Sequence, residues 1–252
     1  MTGNHFSGKT VLVTGASSGL GEAVALAFAG QGANVFAVGR NIAALESLAL
    51  RVADIEGTVF VCSADLQKAS SCRSVVAGCI EQFSGLDVLV NVAGKHAVSH
   101  TADVSEAQWQ EDLGINLSAP FFLSQAAIPH LLKSNGNIVN VASIAGLQGQ
   151  PYSAAYCAAK HGLLGLTRSL ALEFINTCLR VNAVCPGGMD TPQVNNMQFP
   201  EGIDFGLMMR TAGLRGMMQV ADVAEVILFL ASEQAHVIHG AVIPVDMGKT
   251  TG

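Results

Sequence analysis

A chain of 252 residues suits one large domain or two small ones, and with 50% apolar and 13% charged residues it has the material for a sizeable buried core. A net charge of −6 with no basic cluster argues against a nucleic-acid surface, and no apolar run approaches the ~18 residues of a membrane span. Six cysteines without a Cys-x-x-Cys pair or a metal-like pattern with the seven histidines read as small buried hydrophobes in a reducing compartment, with no metal site. The polar stretch 1–9 has no apolar signal core, so a cytoplasmic protein is expected.

The predicted elements alternate along the chain. Residues 10–13 form a strand, and 19–31 a helix with Ala23, Ala27 and Phe28 on one side. A strand at 34–38 precedes a helix at 43–55, where Ile42, Leu45, Leu48 and Val52 recur at helical spacing. Further strands are predicted at 58–62, 88–90, 137–141, 179–184 and 241–245, and helices at 69–83, 105–132, 153–174 and 221–231. Val11, Leu12 and Val13 make the first strand apolar on both faces, as when helices cover both sides of a parallel sheet. The expected fold is therefore a doubly wound, seven-stranded parallel α/β sheet, with no linker or repeat dividing residues 1–252.

One stretch departs from this alternation. Residues 187–218 hold Met189, Met197, Met208, Met209, Met217 and Met218 with Phe199 and Phe205, and little strand character. An insertion of this length before the last helix predicts a substrate lid over about 188–218; the alternative is a surface helix pair packed on the core.

The chemistry starts at Gly15-Ala16-Ser17-Ser18-Gly19-Leu20-Gly21, between the first strand and the first helix. Glycines there permit a tight turn and close backbone approach to a pyrophosphate, while the helix N-terminus supplies N–H groups and a positive dipole end. The Gly-x-x-x-Gly-x-Gly spacing differs from the common dinucleotide fingerprint, and a plain structural turn is the competing reading. Farther along, Tyr156 and Lys160 stand one helical turn apart, downstream of Ser143. A free tyrosine, with a pKa of about 10, is a poor base near neutrality, so the nearby ammonium is expected to favour the phenolate. Tyr152 is a weaker candidate, because Tyr156 and not a lysine stands four residues after it.

With Tyr156-Cys157-Ala158-Ala159-Lys160 added to the glycine loop, the chain resembles the short-chain dehydrogenase/reductase family over nearly its whole length. Other markers are Asn91-Val92-Ala93-Gly94, Asn116-Leu117, Ser143, Arg180 to Gly187, Thr191-Pro192 and Pro244-Val245-Asp246. Val92 replaces the second Asn of the family's Asn-Asn-Ala-Gly, and Cys178 stands where a glycine is common. The resemblance implies a Rossmann-type sheet in the order 3-2-1-4-5-6-7 and a nicotinamide cofactor at the strand ends. It implies contacts to that cofactor from Gly15, Ser17, Ser18, Gly19, Leu20, Gly21, Asp65, Leu66, Asn91, Ala93, Gly94, Pro186, Gly187, Met189 and Thr191. It further implies that Tyr156 transfers the proton and Ser143 hydrogen-bonds the reacting oxygen. By the same resemblance Lys160 is expected to hold the nicotinamide ribose, and Asn116 to keep a water in a relay to Lys160.

Cofactor choice is read from Gly39-Arg40-Asn41, which has no carboxylate for the adenosine ribose. Arg40 suits a 2′-phosphate, so NADP(H) is favoured and NAD(H) possible; against this, Ala16-Ser17-Ser18 has no basic residue. The helix with Ala154, Ala155, Ala158, Ala159, Gly162 and Gly165 can be approached closely, and the family builds a dimer interface there, so a homotetramer or dimer is expected. The expected activity interconverts a lipophilic secondary alcohol of hydroxysteroid, terpenoid or other alicyclic type and its ketone, in keeping with the Met-rich stretch. A 3-oxoacyl-carrier-protein reductase is the enzymatic alternative, disfavoured because Arg168 is the one arginine in the helix after Lys160. A non-catalytic dinucleotide-binding scaffold is the alternative from another class.

Overall fold

The first strand is as apolar in space as in sequence: β1 (Thr10–Thr14) is buried along its whole length. The computed structural model describes residues 5–52, 56–210, 213 and 215–251. β1 pairs in parallel with β2 (Asn34–Gly39) on one side and β4 (Val88–Asn91) on the other. β3 (Thr58–Ser63) forms one edge; β5 (Asn137–Val141), β6 (Arg180–Pro186) and β7 (Val242–Val245) extend the other. The result is a seven-stranded parallel sheet in the order 3-2-1-4-5-6-7, as expected. The order reverses between β1 and β4, which opens a crevice beyond their C-terminal ends.

Helices cover both faces. On one, α1 (Gly19–Ala29), α2 (Ile42–Arg51) and α9 (Val220–Ala231) bury Val24, Phe28, Leu45, Leu48, Ile227 and Leu228 against β1, β2 and β5. On the other, α3 (Ala69–Phe83), α5 (Ala119–Ser134) and α6 (Ala154–Glu173) contribute Val75, Val76, Leu123, Leu131 and Leu170. The expected helix end at 53–55 lies outside the described residues; α2 closes at the buried Val52.

Two stretches differ from the expected elements. The single helix foreseen at 105–132 is α4 (Glu106–Leu113), a π-helical turn at Gly114–Ser118, and α5. Pro120 has no N–H to return to the Asn116 carbonyl, so the ladder widens there. The stretch 187–218 leaves and rejoins the body at one point, where Met189 bridges Met218 and Met218 N donates to the Gly188 carbonyl at 3.0 Å. Between those ends stand the short helices α7 (Pro192–Asn195) and α8 (Phe205–Met209), with Phe199, Phe205 and Met209 exposed; residues 211, 212 and 214 of this stretch lie outside the described residues.

Candidate active site

Thr14 ties together the two strand ends that frame the crevice: its hydroxyl oxygen accepts from Val92 N at 2.9 Å and Ala93 N at 3.0 Å. The next residue must turn sharply against that backbone. Gly15 has φ +70, and a Cβ there would lie 3.0 Å from Ala93 Cα. At Gly21 a Cβ would collide with the Gly15 carbonyl, so only glycine lets α1 start this close to the loop. Ser18, the N-cap of α1, makes no side-chain capping bond, and Gly19, Leu20 and Gly21 of the first turn line the cleft.

The cleft has a volume of about 450 Å³ and runs across the C-terminal ends of the central strands. Gly15, Ser17, Ser18, Gly19, Leu20 and Gly21 line one part, Arg40, Asp65 and Leu66 a second, and Ala93, Gly94, Pro186, Gly187, Met189 and Thr191 a third. Asn91 is not in its wall: it is buried, and its amide donates to Asn140 Oδ1 at 2.8 Å, joining β4 to β5. This cradle of backbone donors at a helix N-terminus, with polar groups toward each end, fits an extended dinucleotide.

Ser143, Tyr156 and Lys160 meet at the other part of the cleft. Ser143 leaves β5 in extended conformation and caps a 3₁₀ turn, with Ala145 N donating to its hydroxyl at 3.1 Å. Tyr156 and Lys160 lie on one face of α6, with Lys160 Nζ 5.6 Å from the Tyr156 ring centre and donating to the Val141 carbonyl at 2.9 Å. Asn116 is fully buried in the π-helical turn. Its amide donates to the Lys95 carbonyl at 2.8 Å and to the Asp112 carbonyl at 3.0 Å, while Oδ1 accepts from Lys95 N at 3.2 Å. A Cβ placed on Gly94 would lie 2.8 Å from Asn116 Oδ1 and 3.5 Å from Lys160 Nζ, so Asn116 and Lys160 approach each other across Gly94.

The electrostatics correct one expectation. Burial pushes the Tyr156 phenol up to about 12, against a smaller opposing effect of the Ser143 hydroxyl, and does not leave it a phenolate. Burial also draws the Lys160 ammonium down to about 8. Desolvation therefore outweighs the attraction expected between the two, and near neutrality the site holds a protonated phenol beside an ammonium.

A stability measurement checks this. Lys160 binds protons less readily folded (about 8) than unfolded (10.5), so between these values the unfolded chain holds more protons and stability rises with pH. Without cofactor, the unfolding free energy of the wild type is expected to gain on that of Lys160→Met by a few kcal/mol from pH 8 to 10. The raised phenol pKa works oppositely, but only above 10, and it is common to both proteins. Parallel stability curves for the two proteins would show that Lys160 is not desolvated.

The sequence reading missed part of the wall. Lys95, His96, Glu111 and Gln150 also line the cleft, and so do Gln193, Val194 and Met197 of the stretch expected to form a lid. Lys95 pairs with Glu111 at 2.6 Å, and His96 stacks on Tyr156 with ring centres 4.2 Å apart. His96 and Lys95 directly follow Gly94 in the chain, which was the available signal.

The family model described as enoyl-(acyl carrier protein) reductase matches residues 15–250. The chain is 38% identical to the short-chain dehydrogenase/reductase olcF of Penicillium canescens, over 96% of this chain and 97% of that protein. It is 35% identical to the 3-oxoacyl-[acyl-carrier-protein] reductase FabG of Thermotoga maritima, over 97% and 98%. The crystal structure of a short-chain alcohol dehydrogenase from Sinorhizobium meliloti 1021 superposes with a TM-score of 0.89 at 35% identity, covering 98% of both chains.

Proposed function

The chain belongs to the short-chain dehydrogenase/reductase family, and from that premise we propose that this NAD(P)-dependent oxidoreductase, which acts on CH–OH groups, interconverts a lipophilic secondary alcohol and its ketone. The observation that carries this reading is the pairing of Ser143, Tyr156 and Lys160 with an apolar wall of Ile144, Met189, Val194 and Met197 in the same cleft. The nicotinamide supplies or accepts the hydride when bound. The residues of the chain handle the proton and the geometry. Ser143 hydrogen-bonds the reacting oxygen, and the Tyr156 hydroxyl gives it a proton in reduction or takes one in oxidation. Lys160 holds the ribose and its positive charge favours the phenolate as the proton leaves; Asn116 fixes the turn at Gly94 and Lys95 and keeps a water in the relay to Lys160.

In this reading the stretch 188–218 is the substrate lid, and its methionines and phenylalanines adapt to a bulky alicyclic skeleton. NADP(H) is the preferred cofactor, with Arg40 meeting the 2′-phosphate. A carrier-protein substrate fits less well, because Lys95 on the cleft wall is already paired with Glu111. Turnover of a panel of steroid, terpenoid and simple alicyclic alcohols against acyl thioesters, with each dinucleotide, tests this. Preference for the thioesters would overturn it.

The protein acts as a homo-oligomer, a tetramer in the fullest case, through the small-residue face of α6. On that helix Leu172 is exposed, as is Ile175 just after it. Sedimentation at micromolar concentration is expected to show a dimer or tetramer, and a stable monomer would refute it. Among the described residues no helix is long and apolar enough to cross a membrane, and all six cysteines are free, which supports a reducing, cytoplasmic setting.

A further inference from the structure

His96 is a polar side chain beside the proton-transfer group that the mechanism leaves without a task. Its ring lies on that of Tyr156, with centres 4.2 Å apart and planes 22° from parallel. Its Nε2 is 2.8 Å from the Ser153 hydroxyl oxygen. The same oxygen lies 3.2 Å from the Pro151 carbonyl, which can only accept its one proton. Both contacts are satisfied at once when Ser153 accepts and His96 carries its proton on Nε2, and we assign that tautomer on this ground. This tautomer leaves Nδ1 as a lone-pair acceptor on a residue that lines the cleft, with no hydrogen bond to Nδ1 among the described residues. The imidazole is neutral at pH 7: burial, then the Lys160 charge, lowers its pKa to about 4.

Building on the alcohol–ketone reading, we propose that His96 selects substrates with a second hydroxyl on the carbon next to the reacting carbinol, that is, vicinal diols and the α-hydroxy ketones they yield. The ring position is set by two contacts, the Tyr156 stack and the Ser153 bond, so Nδ1 is held at a fixed offset from the atom that exchanges the proton. A neutral acceptor there takes a hydrogen bond from a hydroxyl. It gives nothing to a second carbonyl and repels a carboxylate, whose natural partner Lys95 is engaged by Glu111.

The test compares trans-cyclohexane-1,2-diol with cyclohexanol in the wild type and in His96→Phe, whose flat ring keeps the stack on Tyr156 and lacks Nδ1. The wild-type ratio of kcat/KM, diol over cyclohexanol, is expected to be about tenfold or more, and to fall at least fivefold in the variant. An equal loss on both substrates would reduce His96 to packing and overturn the proposal. ¹⁵N NMR of the cofactor-loaded wild type provides a readout independent of turnover: the His96 Nδ1 resonance should move on adding the diol and stay in place with cyclohexanol. An unmoved Nδ1 overturns the proposal, whereas failure to turn over either alcohol, with Nδ1 still responding to the diol, overturns only the alicyclic substrate reading.

Discussion

Tyr156→Phe is expected to lower kcat by ~10²–10⁴-fold while dinucleotide affinity stays close to that of the wild type, since proton transfer by a positioned side chain contributes on that order. The phenol is half-buried, protonated near neutrality and adjacent to Ser143, and no other described acid sits on the same wall with a lysine one turn beyond it. Phenylalanine keeps the ring and its stack on His96, so the loss reports the hydroxyl and not a collapsed site. Tyr152→Phe serves as the control. Its hydroxyl accepts from Asp204 N at 2.9 Å, on the 188–218 stretch, so removing it should have a comparatively mild effect on turnover. Single-turnover rates and a fluorescence titration of the cofactor check both halves, and near-normal turnover in Tyr156→Phe would remove the residue from the mechanism.

The fold was legible because its signals are local and repetitive. Strands such as Val11 to Val13 need burial on both faces, and α2 and α9 carry their apolar residues at helical spacing, so each element announced itself within about ten residues. The π-helical turn at Gly114–Ser118 was not legible, because it adds no break in the apolar pattern and follows from the missing N–H of Pro120. The site residues that line the cleft were reachable through ordered motifs. Their electrostatics were not: the Tyr156–Lys160 spacing suggests mutual attraction, but burial of both groups governs their titration, and burial depends on packing from α4, β5 and β6. His96 escaped notice for a similar reason. Its place two residues after Gly94 marks it as near the cleft, but only the approach of α6 shows that its ring lies against Tyr156.

Cofactor selectivity depends on fewer residues than any other expectation, and Arg40→Ala is expected to reduce kcat/KM for NADP(H) by roughly ten- to a hundredfold, with the loss concentrated on that cofactor. Hydrogen bonds to a charged group contribute ~1.5–3 kcal/mol, and ~1.4 kcal/mol is a factor of ten. Arg40 is exposed where it lines the cleft, so salt screening favours the lower end of that range, and the discrimination should narrow as ionic strength rises. The converse experiment, placing a carboxylate at Gly39 to take the ribose hydroxyls of NAD(H), meets a steric obstacle. A Cβ at Gly39 would lie 2.9 Å from both Cβ and Oγ of Ser17, so Gly39→Asp alone would push the glycine loop out of place and weaken both cofactors. Ser17→Gly removes the two atoms in conflict, and the double variant Ser17→Gly/Gly39→Asp is the one expected to prefer NAD(H), because its carboxylate then repels a 2′-phosphate without displacing the loop. Equal losses with both dinucleotides in Arg40→Ala would mean that the guanidinium packs beside the adenine without reading the phosphate, and the NADP(H) preference would have to be abandoned.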